Sequence, residues 1–144
     1  TNGNGAIVEA LLEKGADPKT KLRGGETVLM TAARTGKLGP VQALLARGAE
    51  VDAKERNGQS ALMWAAAENN AAAIRALAGA GADIHAVSAG KFTPLLFAVR
   101  GGHIDATRAL LEAGADVNER MADGMSALVL AFVYLWREGG FEWR

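Results

Sequence analysis

The residues of this chain that could do chemistry are two histidines, a recurring set of acids, some glycine pairs and a few serines. A zinc set needs several imidazole, thiolate or carboxylate ligands converging on one point. His85 and His103 stand without a cysteine or a clustered carboxylate. His103 falls in a Gly-His turn between two helical stretches and reads as structural. His85 follows Ile84, where other units carry Asn118 or Asp52, and is expected to bond the loop backbone. Asp17, Glu50, Asp83 and Asp116 recur every 33 residues. That spacing strings them along one edge, whereas paired catalytic carboxylates must flank a single bond. They read as loop-fixing acids. Gly24-Gly25 and Gly101-Gly102 lack the Lys-Ser/Thr of a phosphate loop and its strand-to-helix setting. The serines lie at caps or in loops, outside any nucleophile elbow. The expectation is a protein without catalytic residues, metal or cofactor.

The elements that must position these residues follow from the same period. Gly15-Ala16-Asp17 returns as Gly48-Ala49-Glu50, Gly81-Ala82-Asp83 and Gly114-Ala115-Asp116. Leu29, Leu62, Leu95 and Leu128 keep the same step. So do the small pairs Ala32-Ala33, Ala65-Ala66 and Ala98-Val99, a marker that loosens to Ala131-Phe132. Self-similarity at this period signals a stacked repeat array.

One unit reads as helix, glycine turn, helix, glycine turn, extended loop. Thr27 can cap a first helix from about Val28 to Thr35, because its hydroxyl can accept a free N–H of the first turn. Ser60, Thr93 and Ser126 are its equivalents, and Pro94 fits the first helical position. Gly36, Asn69 and Gly102 can end the first helix in the left-handed conformation. A second helix runs from about Leu38 to Ala46, with Pro40 in its first turn. Neither helix is long enough to be stable alone, so burial against the next unit must supply the stability.

The strings Gly25-Glu26-Thr27-Val28-Leu29 with Ala32-Ala33, then Leu44-Leu45, then Gly48-Ala49-Glu50-Val51-Asp52-Ala53 resemble the ankyrin repeat family. The fullest likeness is Phe92-Thr93-Pro94-Leu95, continuing through Gly102-His103 to Gly114-Ala115-Asp116-Val117-Asn118. The resemblance implies an all-α chain: an ankyrin-like α-solenoid of stacked helix-turn-helix repeats with β-turn fingers. It divides a single ankyrin-repeat domain, residues 1–144, into a partial repeat 1–21, full repeats 22–54, 55–87 and 88–120, and a degenerate repeat 121–144. Three departures carry expectations. The family often has His after Thr-Pro-Leu, bonding back to the Thr. Met30, Met63, Leu96 and Val129 stand there, so that bond is expected to be absent. Lys91 replaces the turn glycine, which predicts an altered third finger. Gly139-Gly140 falls where a last second helix should form.

The resemblance also implies a protein partner, met by the finger tips and the exposed side of the first helices on a concave face. By repeat position these surfaces are Arg23, Glu26, Arg34 and Thr35, then Arg56, Asn57, Gln59 and Glu68, then Phe92 and Arg100, then Met125 and Tyr134. Arginine and aromatic residues are favoured interface anchors, which puts Arg34, Arg100, Phe92 and Tyr134 first. Sixteen basic residues balance sixteen acidic ones, which argues against nucleic acid. The longest apolar run, Ala127 to Trp136, is about half of the roughly 20 residues a membrane span needs and predicts a buried helix instead. Tyr134, Trp136, Phe141 and Trp143 read as a makeshift cap over the last full repeat, or as an interface. Neither end carries a polar capping helix. Self-association through these uncapped ends, as a segment of a longer array, is therefore the rival to partner binding.

Overall fold

The computed structural model describes residues 3–138. Eight helices follow one another in these residues: α1 (Gly3–Glu13), α2 (Val28–Thr35), α3 (Leu38–Ala46), α4 (Ala61–Ala67), α5 (Ala71–Gly79), α6 (Pro94–Arg100), α7 (Ile104–Glu112) and α8 (Ala127–Arg137). Among the described residues the only β pairing is two isolated bridges, Lys21 with Thr27 and Arg120 with Ser126.

Each first helix starts where a buried or half-buried hydroxyl caps it. Thr27 accepts from the Met30 N–H at 3.2 Å, Ser60 from Met63 at 3.4 Å, Thr93 from Leu96 at 3.2 Å and Ser126 from Val129 at 3.3 Å. Each such bond satisfies a donor that the helix itself leaves free. Position 30 departs from the expected lost bond. The Thr27 N–H donates to Met30 Sδ at 3.3 Å, so a thioether supplies a weak return bond.

Gly36 ends α2 with φ 72°, and Asn69 holds the equivalent left-handed place with φ 59°. Asparagine tolerates this region better than most side chains. Here its side chain also works: Asn69 Oδ1 accepts the Ala106 N–H at 3.0 Å, capping the first turn of α7. Its neighbour reaches the other way. Asn70 Nδ2 donates to the carbonyls of Ala33 at 2.7 Å and Arg34 at 3.1 Å, at the end of α2. One dipeptide thus ties three successive helix pairs together through backbone groups that would otherwise lack partners.

The first helices pack in series, α2 on α4, α4 on α6 and α6 on α8. The second helices do the same, α1 on α3, α3 on α5 and α5 on α7. The core lies between the two rows. Leu29, Met30, Leu62, Leu96, Ile74, Leu77 and Leu110 are fully buried there, with Ala33, Ala65 and Ala66 between them. The alanines let the helices approach, and each leucine withdrawn from water contributes about 1.5–3 kcal/mol.

Two expectations fail here. Lys91 does not alter the third finger: it adopts φ 64° and keeps the Ser88 hydrogen bond that the glycine positions make, with Lys91 N–H to Ser88 O at 2.9 Å against Gly58 N–H to Glu55 O at 2.8 Å. The bond pattern of the turn outweighs the strain of a side chain in the left-handed region. The Ala127 to Trp136 run is helical, but it is not buried. Only Ala127 and Leu130 of α8 are buried, while Leu128, Phe132 and Trp136 stand exposed. No described second helix packs on the face that carries them. Of the residues read as an aromatic cap, Trp136 is outside the core and Tyr134 is half-buried. Phe141, Trp143 and the Gly139-Gly140 pair lie outside the described residues.

Candidate functional site

The fingers are built by backbone bonds before any side chain is considered. Leu22 N–H donates to Glu26 O at 2.7 Å, Glu55 to Gln59 at 3.1 Å, Ser88 to Phe92 at 2.9 Å and Met121 to Met125 at 2.9 Å. Neighbouring fingers are also joined, Arg56 N–H to Gly24 O at 2.7 Å and Ala89 N–H to Asn57 O at 2.9 Å. An Ala at position 58 would set its Cβ 3.0 Å from the Ala89 nitrogen, so close approach as well as the φ of 70° requires glycine there.

Side chains meet above this frame, between adjacent units at Arg34 and within one unit at Arg100. The Arg34 guanidinium lies 5.0 Å from the centroid of the Trp64 ring. Arg100 lies 5.2 Å from the Phe92 ring, and Phe92 stands 5.4 Å from Phe97 at an interplanar angle of 42°. Both distances suit cation–π attraction. Phe92, Phe97 and Trp64 are half-buried, and Arg34 and Arg100 are exposed. Neither arginine takes part in the ion pairs among the described residues, which join Lys21 to Glu50 at 3.3 Å and Arg75 to Glu112 at 3.7 Å. The Trp64 Nε1–H is buried and has no acceptor among the described residues.

The other positions read from sequence are distributed along the same turns and first helices. Arg23 and Arg56 are exposed on the fingers, and the Arg56 side chain runs close to Gly24. Glu26 is half-buried and accepts from Thr31 Oγ1 at 2.9 Å. Gln59 is half-buried, Glu68 caps α4 at its exposed C-terminus, and Tyr134 is half-buried on α8. The two arginine–aromatic contacts are separate: one holds Arg34, the other joins Phe92 and Arg100, and the remaining predicted residues take part in neither. Sequence reasoning missed Trp64 and Phe97. They occupy the position of Thr31 one and two steps on, and that shared phase, one helical turn before residue 34 and its equivalents, is the signal that could have found them.

The recurring acids fix loops, with one exception. Asp17, Asp83 and Asp116 accept N–H groups two residues on, from Lys19, His85 and Asn118, at 2.9, 3.0 and 2.9 Å. Glu50 has one more methylene, and its carboxylate pairs with Lys21 instead. His85 bonds Asp83 through its backbone N–H rather than its ring. His103 Nε2 lies 2.8 Å from Ala67 O and staples two helix pairs. Glu119 takes a hydrogen bond from Thr93 Oγ1, and burial pushes its carboxyl above the ordinary range. The Thr93 bond and His85 oppose that rise, while Asp116 adds to it. Among the described residues, no three His, Cys, Asp or Glu side chains gather, and no helix is long and apolar enough to cross a membrane.

A family model for ankyrin repeats in three copies matches residues 1–88, and a model for a single ankyrin repeat matches residues 91–122. No curated protein matches the chain. The paired helices, the linked fingers and these matches agree, and the chain belongs to the ankyrin repeat family.

Proposed function

We propose that this chain is a non-catalytic scaffold that binds another protein across its fingers and first helices. Ankyrin repeats are generally protein–protein interaction modules, which supports the class of function. The observation that carries the choice of face is the pair of arginine–aromatic contacts, Arg34 on Trp64 and Arg100 on Phe92. Each holds a guanidinium in place while leaving donors free for an incoming carboxylate or carbonyl. Ordering these side chains before the partner arrives lowers the entropy lost on binding. The partner would therefore present a loop or extended segment with acidic side chains or free carbonyls. Arg23, Glu26, Arg56, Gln59 and Glu68 would contact it around these anchors, and Tyr134 at the C-terminal side. The scaffold is read as one domain, with the partial repeat at 1–21, full repeats at 22–54, 55–87 and 88–120, and the degenerate repeat from 121.

The test is capture from a lysate with mass-spectrometric readout, comparing the chain with an Arg34→Ala/Arg100→Ala variant of unchanged melting temperature. A protein retained by the first and lost by the second supports this face. Identical recovery by both rejects it.

A second reading, association through the ends of the stack, is favoured by the exposed apolar residues at both termini of the described fold.

A further inference from the structure

The two ends of the stack expose halves of the same unit. Leu11 on α1 is in the repeat position of Leu44, Leu77 and Leu110. Those three are 4%, 0% and 0% exposed, whereas Leu11 is 57% exposed. Leu128 on α8 is in the position of Leu29, Leu62 and Leu95, which are 0%, 0% and 2% exposed, yet Leu128 is 67% exposed. The cause is the same at both ends. Helix α1 has the packing of a second helix, against α3, and no described first helix stands beside it. Helix α8 has the packing of a first helix, against α6, and no described second helix stands beside it. Its exposed Leu128, Phe132 and Leu135 form one stripe at helical spacing. Beside α1 lies an open apolar groove of about 540 Å³, lined by Val8, Leu11 and Leu12 of α1 and by Val28 and Ala32 of α2.

We propose that α8 of one copy of this chain seats in the α1–α2 groove of a second copy, so that α8 and the second copy's α1 complete one ankyrin repeat. The register is fixed by the internal repeats, because Leu11 of the second copy then takes the place 33 residues beyond Leu110 of the first. Two charge relationships fall out of that register. Lys21 pairs with Glu50 at 3.3 Å across one internal junction. The corresponding residues at the composite junction are Arg120 of one copy and Asp17 of the next, opposite in charge and both exposed. Arg56 N–H bonds Gly24 O between internal fingers at 2.7 Å. Its counterpart is a backbone bond from Arg23 of the second copy to Asp123 of the first, which sets two residues of opposite charge side by side. A single slip along the stack would lose both matches.

Such a junction is heterologous. Each copy offers its α8 to one neighbour and its α1–α2 groove to another, so the contact propagates rather than stopping at a dimer. It rests on the reading of association through the ends and uses neither Arg34 nor Arg100; Arg23 and the α8 that carries Tyr134 are shared with the partner face, and sedimentation of the chain alone, with no partner present, tests the junction by itself.

The experiment is sedimentation of the 144-residue chain over a concentration series, with Leu11→Lys and Phe132→Lys variants alone and mixed. Both positions are exposed, so the variants should melt as the parent does; Ile7→Lys and Leu128→Lys replace either one that does not. The expected result is a parent whose mass rises with concentration, two variants that stay monomeric alone, and a 1:1 mixture that forms a dimer and nothing larger. That mixture combines one intact α8 with one intact groove. A parent that stays monomeric overturns the proposal. So does a Leu11→Lys chain that still self-associates, since like ends would then have to meet, or a mixture that yields no dimer, since an intact α8 and an intact groove would then have failed to pair.

Discussion

The guanidinium of Arg34 sits 5.0 Å from the Trp64 ring centroid, across the junction between two first helices, α2 and α4. An exposed cation–π contact of this kind contributes about 0.5–1 kcal/mol. Arg34→Ala is therefore expected to lower stability by no more than that, and a thermal melt checks it. Arg34→Lys keeps the charge over the ring but loses the planar fork, so it should melt like the parent and still bind a protein partner less tightly.

Inter-repeat staples should cost more than this surface contact. Asn70 and His103 share one repeat position, and each bonds a carbonyl at the end of the preceding first helix. Removing the side chain leaves that carbonyl without its partner, at a cost of about 1–3 kcal/mol where it is screened from water. His103→Ala is expected at the low end, because the site is partly open. Asn70→Ala should cost more, because two carbonyls lose their donor. His103→Asn should recover part of the loss. Urea unfolding of the three variants orders them.

Leu62 and Leu128 test how far position in the stack, rather than residue type, sets energy. They are the same residue in the same repeat phase, 0% and 67% exposed. Leu62→Ala empties a closed core and should cost about 2–5 kcal/mol. Leu128→Ala in the monomer should stay within about 0.5 kcal/mol of the parent. Equal losses, measured in dilute denaturant titrations, would mean that α8 is covered in solution.

That contrast also marks the boundary of what the sequence made legible. The leucine phase, the hydroxyl caps at Thr27, Ser60, Thr93 and Ser126 and the breaks at Gly36 and Asn69 are local signals. Local bonding decides them, so they placed the helices correctly. Burial of α8 was not legible, because it depends on whether a second helix packs beside it, and the apolar composition of Ala127 to Trp136 is the same either way. Trp64 and Phe97 were passed over for a related reason. Their phase assigns them to a first helix, but only the folded arrangement, with α4 packed on α2 and Phe92 set at the start of α6, brings them to Arg34 and Phe92. Met30 was read as apolar filler because a thioether is a weak acceptor, and only the distance to the Thr27 N–H reveals its second use.

Lys91 carries a side chain at φ 64°, where the other fingers place Gly25, Gly58 and Gly124. A left-handed non-glycine residue costs about 1–2 kcal/mol. Glycine would remove that strain and return part of the gain as entropy of the unfolded chain. Lys91→Gly is expected to stabilise the protein by about 0.5–1 kcal/mol. The reverse exchange, Gly58→Ala, should destabilise it, since its Cβ would also press on the Ala89 nitrogen. Paired calorimetric melts of the two variants check both signs.

Glu119 gives the fold a pH dependence whose sign follows from its surroundings. Burial raises its carboxyl above the ordinary value, outweighing the Thr93 hydrogen bond that favours the charged form. The folded state therefore holds this proton more tightly than the unfolded chain does. The contribution to stability is full below the ordinary carboxylate value, near pH 4, and is lost as pH rises through the higher folded value. At neutral pH the protein carries a partly desolvated charge that it would be more stable without. Glu119→Gln keeps an acceptor for the Thr93 hydroxyl, which also caps α6, and removes the charge. The variant should melt above the parent at pH 7, and the gap should close as the pH falls toward 4. A gap of constant size across that range would trace the effect to packing instead, and a lower melting temperature at pH 7 would mean that the charged hydrogen bond to Thr93 outweighs the burial of Glu119.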